Sequence, residues 1–456
     1  MQRSTRTLDQ LAAELAAGTV TSRALVEDSL ARIADPSGEG ARVFLKADPD
    51  KALAAADFHD TLRRLNAAVS PFAGIPISVK DIFDIAGDVT TCGSIVLQDA
   101  PPAPSDAVAV GRLRAAGFVL VGRTNMTEFA FSGLGLNPHY GTPRNPWDRA
   151  AARIPGGSSS GAAVSVTDAM AHAALGTDTG GSCRIPAALC GIVGFKPTAS
   201  RVPRTGAFPL STTLDSVGPL ARSVACCATL DAILANEPQR ELTQVSLEGM
   251  RFGVPRAYVM DGVSTEVSGA FERALKLLAA AGVRIREIPL AELNELPHIN
   301  RKAGFSAPEA YAEQRERIAS HHSKYDPRVV VRILRGREQD AADYIQLHRD
   351  RLDFIRRVEP TVTSFDALLM PTVPVVAPRL DELVADEDYT RMNALILRNP
   401  SVVNFLDGCA VSIPCHESGQ APVGLTLFSA RNSDRRLLAI GAAAEACLGR
   451  DLPRQK

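Results

Sequence analysis

Apolar residues recur at helical spacing in two parts of the chain. Near its start, Leu8 to Ala17 shows this spacing and is followed by Gly18, which predicts a helix that ends there. Thr21 or Ser22 is suited to cap a second helix. Farther along, one helical face carries Val267, Phe271, Ala274, Leu278 and Ala281. These periodicities predict amphipathic helices that pack against a core.

Between about residues 70 and 225 the pattern changes to short apolar runs separated by turns rich in Gly, Ser and Thr. The runs predicted as strands are Ile75 to Val79, Phe118 to Val121, Ala171 to Leu175 and Ile192 to Phe195. Later runs of this kind are Phe252 to Val254, Val283 to Ile285, Ala367 to Met370 and Gly424 to Phe428. Strands interleaved with helices predict a layered α/β/α fold around a large central mixed sheet that is largely parallel.

The same pattern favours one domain over residues 1–456, with residues 70–225 as its functional core. Asn236 to Gly249 is polar and contains a proline, which predicts a connection. Residues 300–357 are charged and helical in pattern. We therefore expect residues 236–360 to form a helical or capping insertion packed on the sheet.

Composition narrows the possible functions. The chain is 45% hydrophobic and 22% charged, as is usual for globular proteins. A formal net charge of -1 argues against binding of nucleic acid or an anionic membrane by bulk charge. No apolar run is long enough to span a bilayer, and the polar start lacks the apolar stretch of a secretory signal. We expect a cytoplasmic protein without a membrane or nucleic-acid partner.

The eight cysteines are read as reduced, buried thiols, because most of them have apolar neighbours and none forms a C-x-x-C pair. Cysteine and histidine do not occur at the spacings of a zinc site. We expect no metal and no cofactor.

Candidate chemistry is concentrated in three segments, Gly74 to Asp81, Pro155 to Gly161 and Gly176 to Pro186. Lys80 ends an apolar run, and its neighbour Asp81 would point to the opposite face of a strand. A buried lysine without a carboxylate partner loses its charge, and the neutral amine is then a general base. Taken alone, the first segment also fits a salt-bridged or surface lysine.

The third segment places a serine among successive backbone N–H groups. Thr179 to Ser182 has the arrangement that an oxyanion hole needs. Pro186 suits the first turn of a following helix, whose N-terminal end adds positive potential near Ser182. The Gly- and Ser-rich second segment fits either an anion cradle or a flexible turn, and it lacks the Lys-Ser/Thr of a phosphate-binding P-loop.

A serine nucleophile needs a base, which is usually histidine. Within the central block the histidines are His139 and His172. His172 lies between two alanines and reads as structural, whereas His139 lies in a loop suited to line a pocket. Neither is followed by a clear orienting acid, so a serine–lysine system explains the block better.

Together the three segments resemble the amidase signature family, closely over residues 70–225 and more loosely over nearly the whole chain. By this resemblance Lys80 is the catalytic lysine, Ser158 is the bridging serine held by a cis peptide bond, and Ser182 is the nucleophile. The spacing of the two serines also matches the family. The oxyanion hole then corresponds to the backbone N–H groups of Thr179, Gly180, Gly181 and Ser182.

The resemblance implies a hydrolase of linear amides that cleaves a C–N bond through an acyl-enzyme and releases carboxylate and ammonia or amine. The partner is then a small-molecule amide, and a homodimer is the default assembly. Supporting or substrate roles fall to Ser159, Asn125, His139, Asp178 and Arg184.

The chain departs from the family at two positions. Ser160 replaces a usual glycine, and Cys183 stands where an aliphatic residue is common. Neither change removes a catalytic atom.

Three other interpretations remain open from the sequence. Gly157 to Gly161 fits the G-x-S-x-G pattern of α/β-hydrolases, with Ser159 as nucleophile and His416 as base, but that pattern needs a strand directly before it. The signature also occurs in the glutamine-hydrolysing component of amidotransferases, which passes ammonia to a partner. A catalytically inactive binding protein on the same fold is the third.

Overall fold

A single mixed sheet organises the protein. The computed structural model describes residues 6–238 and 240–449, and in these residues eleven strands form one sheet. The strands are β1 (Phe44–Lys46), β2 (Pro76–Lys80), β3 (Val119–Thr124), β4 (Ala173–Asp178), β5 (Val193–Lys196), β6 (Ser216–Ala221), β7 (Arg251–Pro255), β8 (Arg284–Ile288), β9 (Ala367–Pro371), β10 (Cys409–Pro414) and β11 (Gly424–Ser429).

Helices cover both faces of this sheet. They are α1 (Leu8–Ala16), α2 (Ser22–Ala34), α3 (Gly40–Val43), α4 (Pro49–Arg64), α5 (Val108–Ala115), α6 (Ser160–Thr167), α7 (Arg184–Cys190), α8 (Val224–Leu234), α9 (Thr265–Ala280), α10 (Leu296–Ile299), α11 (Ser306–His321), α12 (Pro327–Leu334), α13 (Ala341–Thr363), α14 (Asp386–Phe405) and α15 (Asp434–Gly449). Helix α2 begins at the predicted cap, where the Thr21 side chain accepts the N–H of Ala24. The predicted amphipathic helix is α9, which ends just before Gly282.

Strand pairing is mixed, as predicted, but it is less parallel than the sequence indicated. The strand order is β1-β3-β2-β4-β6-β5-β10-β11-β9-β7-β8. Within the described residues, four neighbouring pairs are parallel and six are antiparallel. The apolar pattern did not reveal β1, β6 and β10, and these strands take part in five of the six antiparallel pairs. Gly218 and Pro219 lie within β6, and because both residue types are typical of turns, the sequence does not read as a strand.

The core lies on the two faces of the sheet. Along β4, Ala173 and Leu175 pack on the side that carries α1, α5, α8, α9 and α15. The intervening Ala174 packs on the other side with α2, α4, α6 and α7. Successive side chains of a strand alternate between the two faces of the sheet, and helices cover both faces here. Strand β4 is therefore buried along its whole length.

The range 236–360 contains parts of the sheet as well as helices. Strands β7 and β8 and helix α9 lie in this range, and β7 pairs with β9. Helices α10 to α13 follow, so the helical part of the range begins after β8. The domain boundaries themselves stay predictions.

Seven of the eight cysteines are buried, in agreement with the prediction, and Cys447 is half-buried. Among the described residues, no helix is both long enough and apolar enough to cross a membrane.

Candidate active site

Lys80 ends β2 and is fully buried, like the rest of that strand. Its Nζ lies 2.7 Å from Ser158 Oγ and 2.8 Å from Thr177 Oγ1. The neighbouring Asp81 points away and pairs instead with Arg123, at 2.6 Å. No carboxylate of the described residues forms an ion pair with Lys80. The structure therefore favours the interpretation of a buried lysine over that of a salt-bridged or surface lysine.

The protonation state of Lys80 follows from its surroundings. Burial lowers the pKa of the amine to about 8, against the opposing influence of Cys183, Asp215 and Asp178. Near neutral pH a useful share of the amine is thus uncharged, and uncharged it can accept a proton.

Ser158 follows a cis peptide bond after Gly157, as the resemblance implied. Its side chain is buried against Lys80, and its carbonyl accepts the N–H of Thr127 at 3.1 Å. Ser160, the departure from the family pattern, begins α6 and donates to the carbonyl of Asn125 at 3.4 Å. The substitution leaves the loop bonded to its neighbours.

The loop after β4 is organised by Asp178. Its carboxylate accepts the N–H groups of Gly181 (2.9 Å) and Cys183 (3.2 Å) and pairs with Arg184 through two nitrogens. Asn404 of α14 donates its amide to the same carboxylate at 2.9 Å. Burial opposes the charge of Asp178, but Arg184, Lys196 and the hydrogen bonds outweigh it and lower the pKa to about 2. The loop is therefore held around a permanently ionised carboxylate.

Ser182 faces a cavity of about 310 Å³, and the same cavity is lined by Thr179 and Gly180. Much of the remaining lining is apolar and includes Phe131, Leu210, Leu214, Leu296, Phe305, Leu397, Val402 and Phe405. Ser182 is only 3% exposed, which restricts its hydroxyl to groups that enter this cavity. A buried serine that lines a mostly apolar cavity suits an acyl acceptor.

The predicted oxyanion hole needs one correction. Within the described residues, the N–H groups of Thr179, Gly180 and Ser182 make no hydrogen bond, but that of Gly181 is donated to Asp178. Gly181 is therefore a structural residue in this arrangement, because its donor is already used. The other three N–H groups stay the predicted donors.

We predict that Gly181→Ala damages both the loop and the activity. Gly181 has a φ of +123°, and a Cβ there would lie 2.5 Å from Pro400 Cβ and 2.7 Å from Ile185 Cδ1. Such overpacking costs about 1–3 kcal/mol, in addition to the backbone strain. We expect a lower melting temperature and reduced amide hydrolysis. Gly180→Ala is the matched control, since its Cβ would meet only side-chain atoms at 3.1 Å or more; equal melting temperatures for the two variants would contradict the prediction.

Several residues predicted to support the site hold its framework instead. The amide of Asn125 donates to the carbonyls of Arg42 and Gly141, both at 2.8 Å. The His139 ring contacts Glu128 at 3.0 Å, outside the cavity. The predicted supporting residues that do not line the cavity are Ser159, Asn125, His139, Asp178 and Arg184. Each of these side chains forms a hydrogen bond to another group of the chain, so we expect them to shape the loops rather than contact substrate.

Sequence reasoning missed residues that come from distant segments. Thr177, the second partner of Lys80, could have been found from the pairing of β2 with β4, which places Val79 beside Leu175. Asp215, Arg332 and Asn404 lie far along the chain, and no local pattern marks them.

The α/β-hydrolase interpretation fails on the structure. Its motif needs a strand directly before Gly157, but residues 154–156 have no regular secondary structure. Ser159, the nucleophile in that interpretation, is fully buried and donates to the carbonyl of Thr177 at 3.4 Å.

The fold and the loop of Ser182 agree with what comparison with known proteins shows. The chain belongs to the amidase family, which matches residues 24–438. This agrees with amide C–N bond hydrolysis as its general activity.

Individual relatives differ in what they act on. The chain is 36% identical over 411 residues to 2-amino-5-chloromuconic acid deaminase from Comamonas testosteroni, covering 88% of this chain and 87% of that protein. It is 34% identical to the A subunit of glutamyl-tRNA(Gln) amidotransferase from Chromohalobacter salexigens, with 95% of each chain covered. A crystal structure of an amidase superposes with a TM-score of 0.87 at 32% identity, covering 97% of this chain and 99% of that one.

Proposed function

We propose that this protein hydrolyses a linear carboxylic amide through an acyl-enzyme on Ser182, with Lys80 and Ser158 as the proton relay. The observation that carries the proposal is the 2.7 Å contact between a fully buried amine and Ser158. Thr177 contacts the same amine, and it lies on the strand that leads directly into the loop of Ser182. The contact of Lys80 with Ser158 and the position of Thr177 directly before the loop of Ser182 both support this assignment.

In the first half of the reaction, neutral Lys80 accepts the proton of Ser158, which accepts the proton of Ser182. Ser182 Oγ forms a bond to the amide carbon, and the carbonyl electron pair moves to its oxygen. The N–H groups of Thr179, Gly180 and Ser182 donate to that oxyanion. The C–N bond then breaks, and the departing nitrogen takes the relayed proton.

In the second half, water gives a proton to the same relay and its oxygen attacks the acyl carbon. The ester bond to Ser182 breaks and the hydroxyl regains its proton. The net change is one amide and one water converted to a carboxylic acid and ammonia or an amine.

The substrate that we propose carries an acid group on its acyl part, and Arg332 supports this. Arg332 lines the cavity of Ser182 and a second cavity of about 390 Å³ that adjoins it. Its guanidinium lies 4.9 Å from the centre of the Phe131 ring, but it makes no hydrogen bond or ion pair within the described residues. Arg398, the other arginine of the first cavity, is already bonded to the carbonyls of Val259 and Asp261. A half-buried cation without an anion suits a carboxylate ligand, and the name of the Comamonas relative also specifies an acid.

We predict that Arg332→Ala discriminates between substrates. For primary amides that bear a carboxylate, kcat/KM falls by roughly 10- to 100-fold, the worth of a charge-assisted hydrogen bond. Neutral amides of the same length change by less than about threefold. The measurement is ammonia release from paired substrates, and the control is Arg337→Ala, an exposed arginine outside both cavities. Equal losses on both substrate classes would contradict acid recognition by Arg332.

The glutamine-hydrolysing component of an amidotransferase is the second candidate function, favoured by the 34% identity over 95% of both chains. An assay of ammonia release by the purified single chain distinguishes the two functions. An amidase releases ammonia from simple amides alone, whereas the amidotransferase component hydrolyses glutamine efficiently only with its partners.

A further inference from the structure

Thr179 lines the cavity of Ser182, but its hydroxyl bonds to a residue outside the lining. It donates to Oδ1 of Asp215, a residue that is 8% exposed and lies just before β6. A hydroxyl fixed in this way also fixes the peptide to which it belongs, because threonine has a stiff χ1. The orientation of the Thr179 N–H, one of the three predicted oxyanion donors, thus depends on Asp215.

Asp215 is itself held from the opposite side. Its Oδ2 accepts the N–H groups of Leu210 at 3.0 Å and Ser211 at 3.1 Å. Leu210 lines the same cavity as Ser182. One carboxylate therefore joins the loop after β4 to another part of the cavity wall.

A second carboxylate anchors this wall to the helices. Glu309 of α11 accepts hydrogen bonds from the hydroxyls of Ser211 and Thr213, and from Tyr344 of α13 at 2.6 Å. The segment that holds Asp215 is consequently a braced element and not a free loop.

We infer that Asp215 is a positioning residue for amide hydrolysis, which holds the Thr179 N–H toward the substrate carbonyl through the Thr179 hydroxyl. The inference rests on the proposed function, because it assigns a purpose to the oxyanion loop. It goes further than that function because part of the oxyanion geometry then depends on Asp215, which lies outside the loops that carry Ser158 and Ser182.

Asp215 also acts through its charge. Lys80 and Arg204 both interact electrostatically with Asp215, and the Arg204 guanidinium donates to the backbone carbonyl of Asp215 at 3.4 Å. Burial raises the pKa of Asp215 to about 6, so the carboxylate is ionised at the pH where Lys80 loses its proton. An ionised Asp215 raises the pKa of Lys80 against the effect of burial. Substitutions can therefore test the effect of Asp215 on the position of Thr179 separately from the effect of its charge on Lys80.

The test begins with the hydroxyl. Thr179→Val keeps the shape of the side chain but loses the bond to Asp215, and we expect kcat to fall about 10- to 100-fold with KM nearly unchanged. Thr179→Ser restores the hydroxyl and should restore kcat to within about threefold of the parent. Thr167→Val, a buried threonine of α6 outside the cavity, is the matched control. An unchanged kcat in Thr179→Val, or no rescue by serine, would overturn the inference.

The carboxylate is tested in the same way. Asp215→Ala should lose at least as much kcat as Thr179→Val, and the double variant should lose little more than Asp215→Ala alone, because the two residues act as a unit. Asp215→Asn can still bond to the backbone N–H groups and to Thr179, so it should keep most of kcat. Because it lacks the charge, the acid limb of its pH–rate profile should move to lower pH. Additive losses in the double variant, or an unmoved acid limb in Asp215→Asn, would contradict the inference.

Failure of the inference is distinguishable from failure of the proposed function. If Ser182→Ala abolishes hydrolysis but Thr179→Val does not reduce it, the nucleophile stands and the role of Asp215 falls. If Ser182→Ala is active, the function itself is wrong.

Discussion

Ser182→Ala should reduce amide hydrolysis by about a thousandfold or more, with the fold and substrate binding intact. In the proposed mechanism the hydroxyl oxygen bonds to the acyl carbon, and the loop that carries it is held by Asp178, not by Ser182 itself. Removing one oxygen therefore removes the covalent step without loosening its surroundings. Ammonia release measures the activity, and the melting temperature should match that of the parent.

A control and a trapping experiment sharpen this prediction. Ser165→Ala removes another buried serine, which lies in α6 and bonds to Ser78 at 2.8 Å, and it should retain the parent activity. In the parent, a slowly hydrolysed substrate should add one acyl mass to the peptide that contains Ser182. Near-normal turnover by Ser182→Ala, or an acyl group on another residue, would refute the nucleophile.

Lys80→Ala should also lose about a thousandfold or more, and its combination with Ser182→Ala should not be additive. In the proposed relay the amine is the terminal proton acceptor, so without it Ser158 would have no base to which it could pass a proton. In the parent protein, kcat/KM should rise with pH and level off above a midpoint near 8, where burial places the pKa of Lys80. The sign is fixed because only the uncharged amine accepts a proton, and the uncharged fraction grows as the pH rises through the pKa.

Lys196→Met is the matched control for the loss of a buried lysine. Lys196 is also fully buried, but its Nζ donates to the carbonyls of Pro197 and Gly408 at 2.8 and 2.7 Å. This variant should melt at a lower temperature yet keep the parent midpoint in its pH profile. A parent midpoint near 6, or activity retained by Lys80→Ala, would exclude Lys80 as the base.

The sequence predicted those features of the fold that are encoded locally. The apolar run before Lys80 predicted both a buried strand and the divergence of Asp81, because adjacent strand residues face opposite sides. Strand β6 escaped notice since Gly218 and Pro219 read as turn residues, although the buried neighbours of the strand support it on both sides. Tertiary packing overrode the local preference there.

The part of the site whose residues are close together in the sequence was predictable. Ser182 and its loop form a continuous motif. Arg332 reaches the cavity, and Asp215 reaches Thr179, only through the order of strands and helices. Gly181 shows a second limit of prediction from sequence. Its place in the motif predicts an oxyanion donor, and only the structure shows that its N–H donates to Asp178. Contacts between distant segments follow from topology, which a single sequence specifies only indirectly.

The hydrogen bond from Asn404 to Asp178 has a consequence for how the protein folds during synthesis. The carboxylate that orders the reactive loop receives its last hydrogen-bond donor from near the end of α14, more than two hundred positions later in synthesis. A growing polypeptide on the ribosome thus carries Ser182 long before the support for that serine has been translated. We expect hydrolytic competence to arise late in biogenesis, so that fragments ending before α14 are inert toward the cell's own amides.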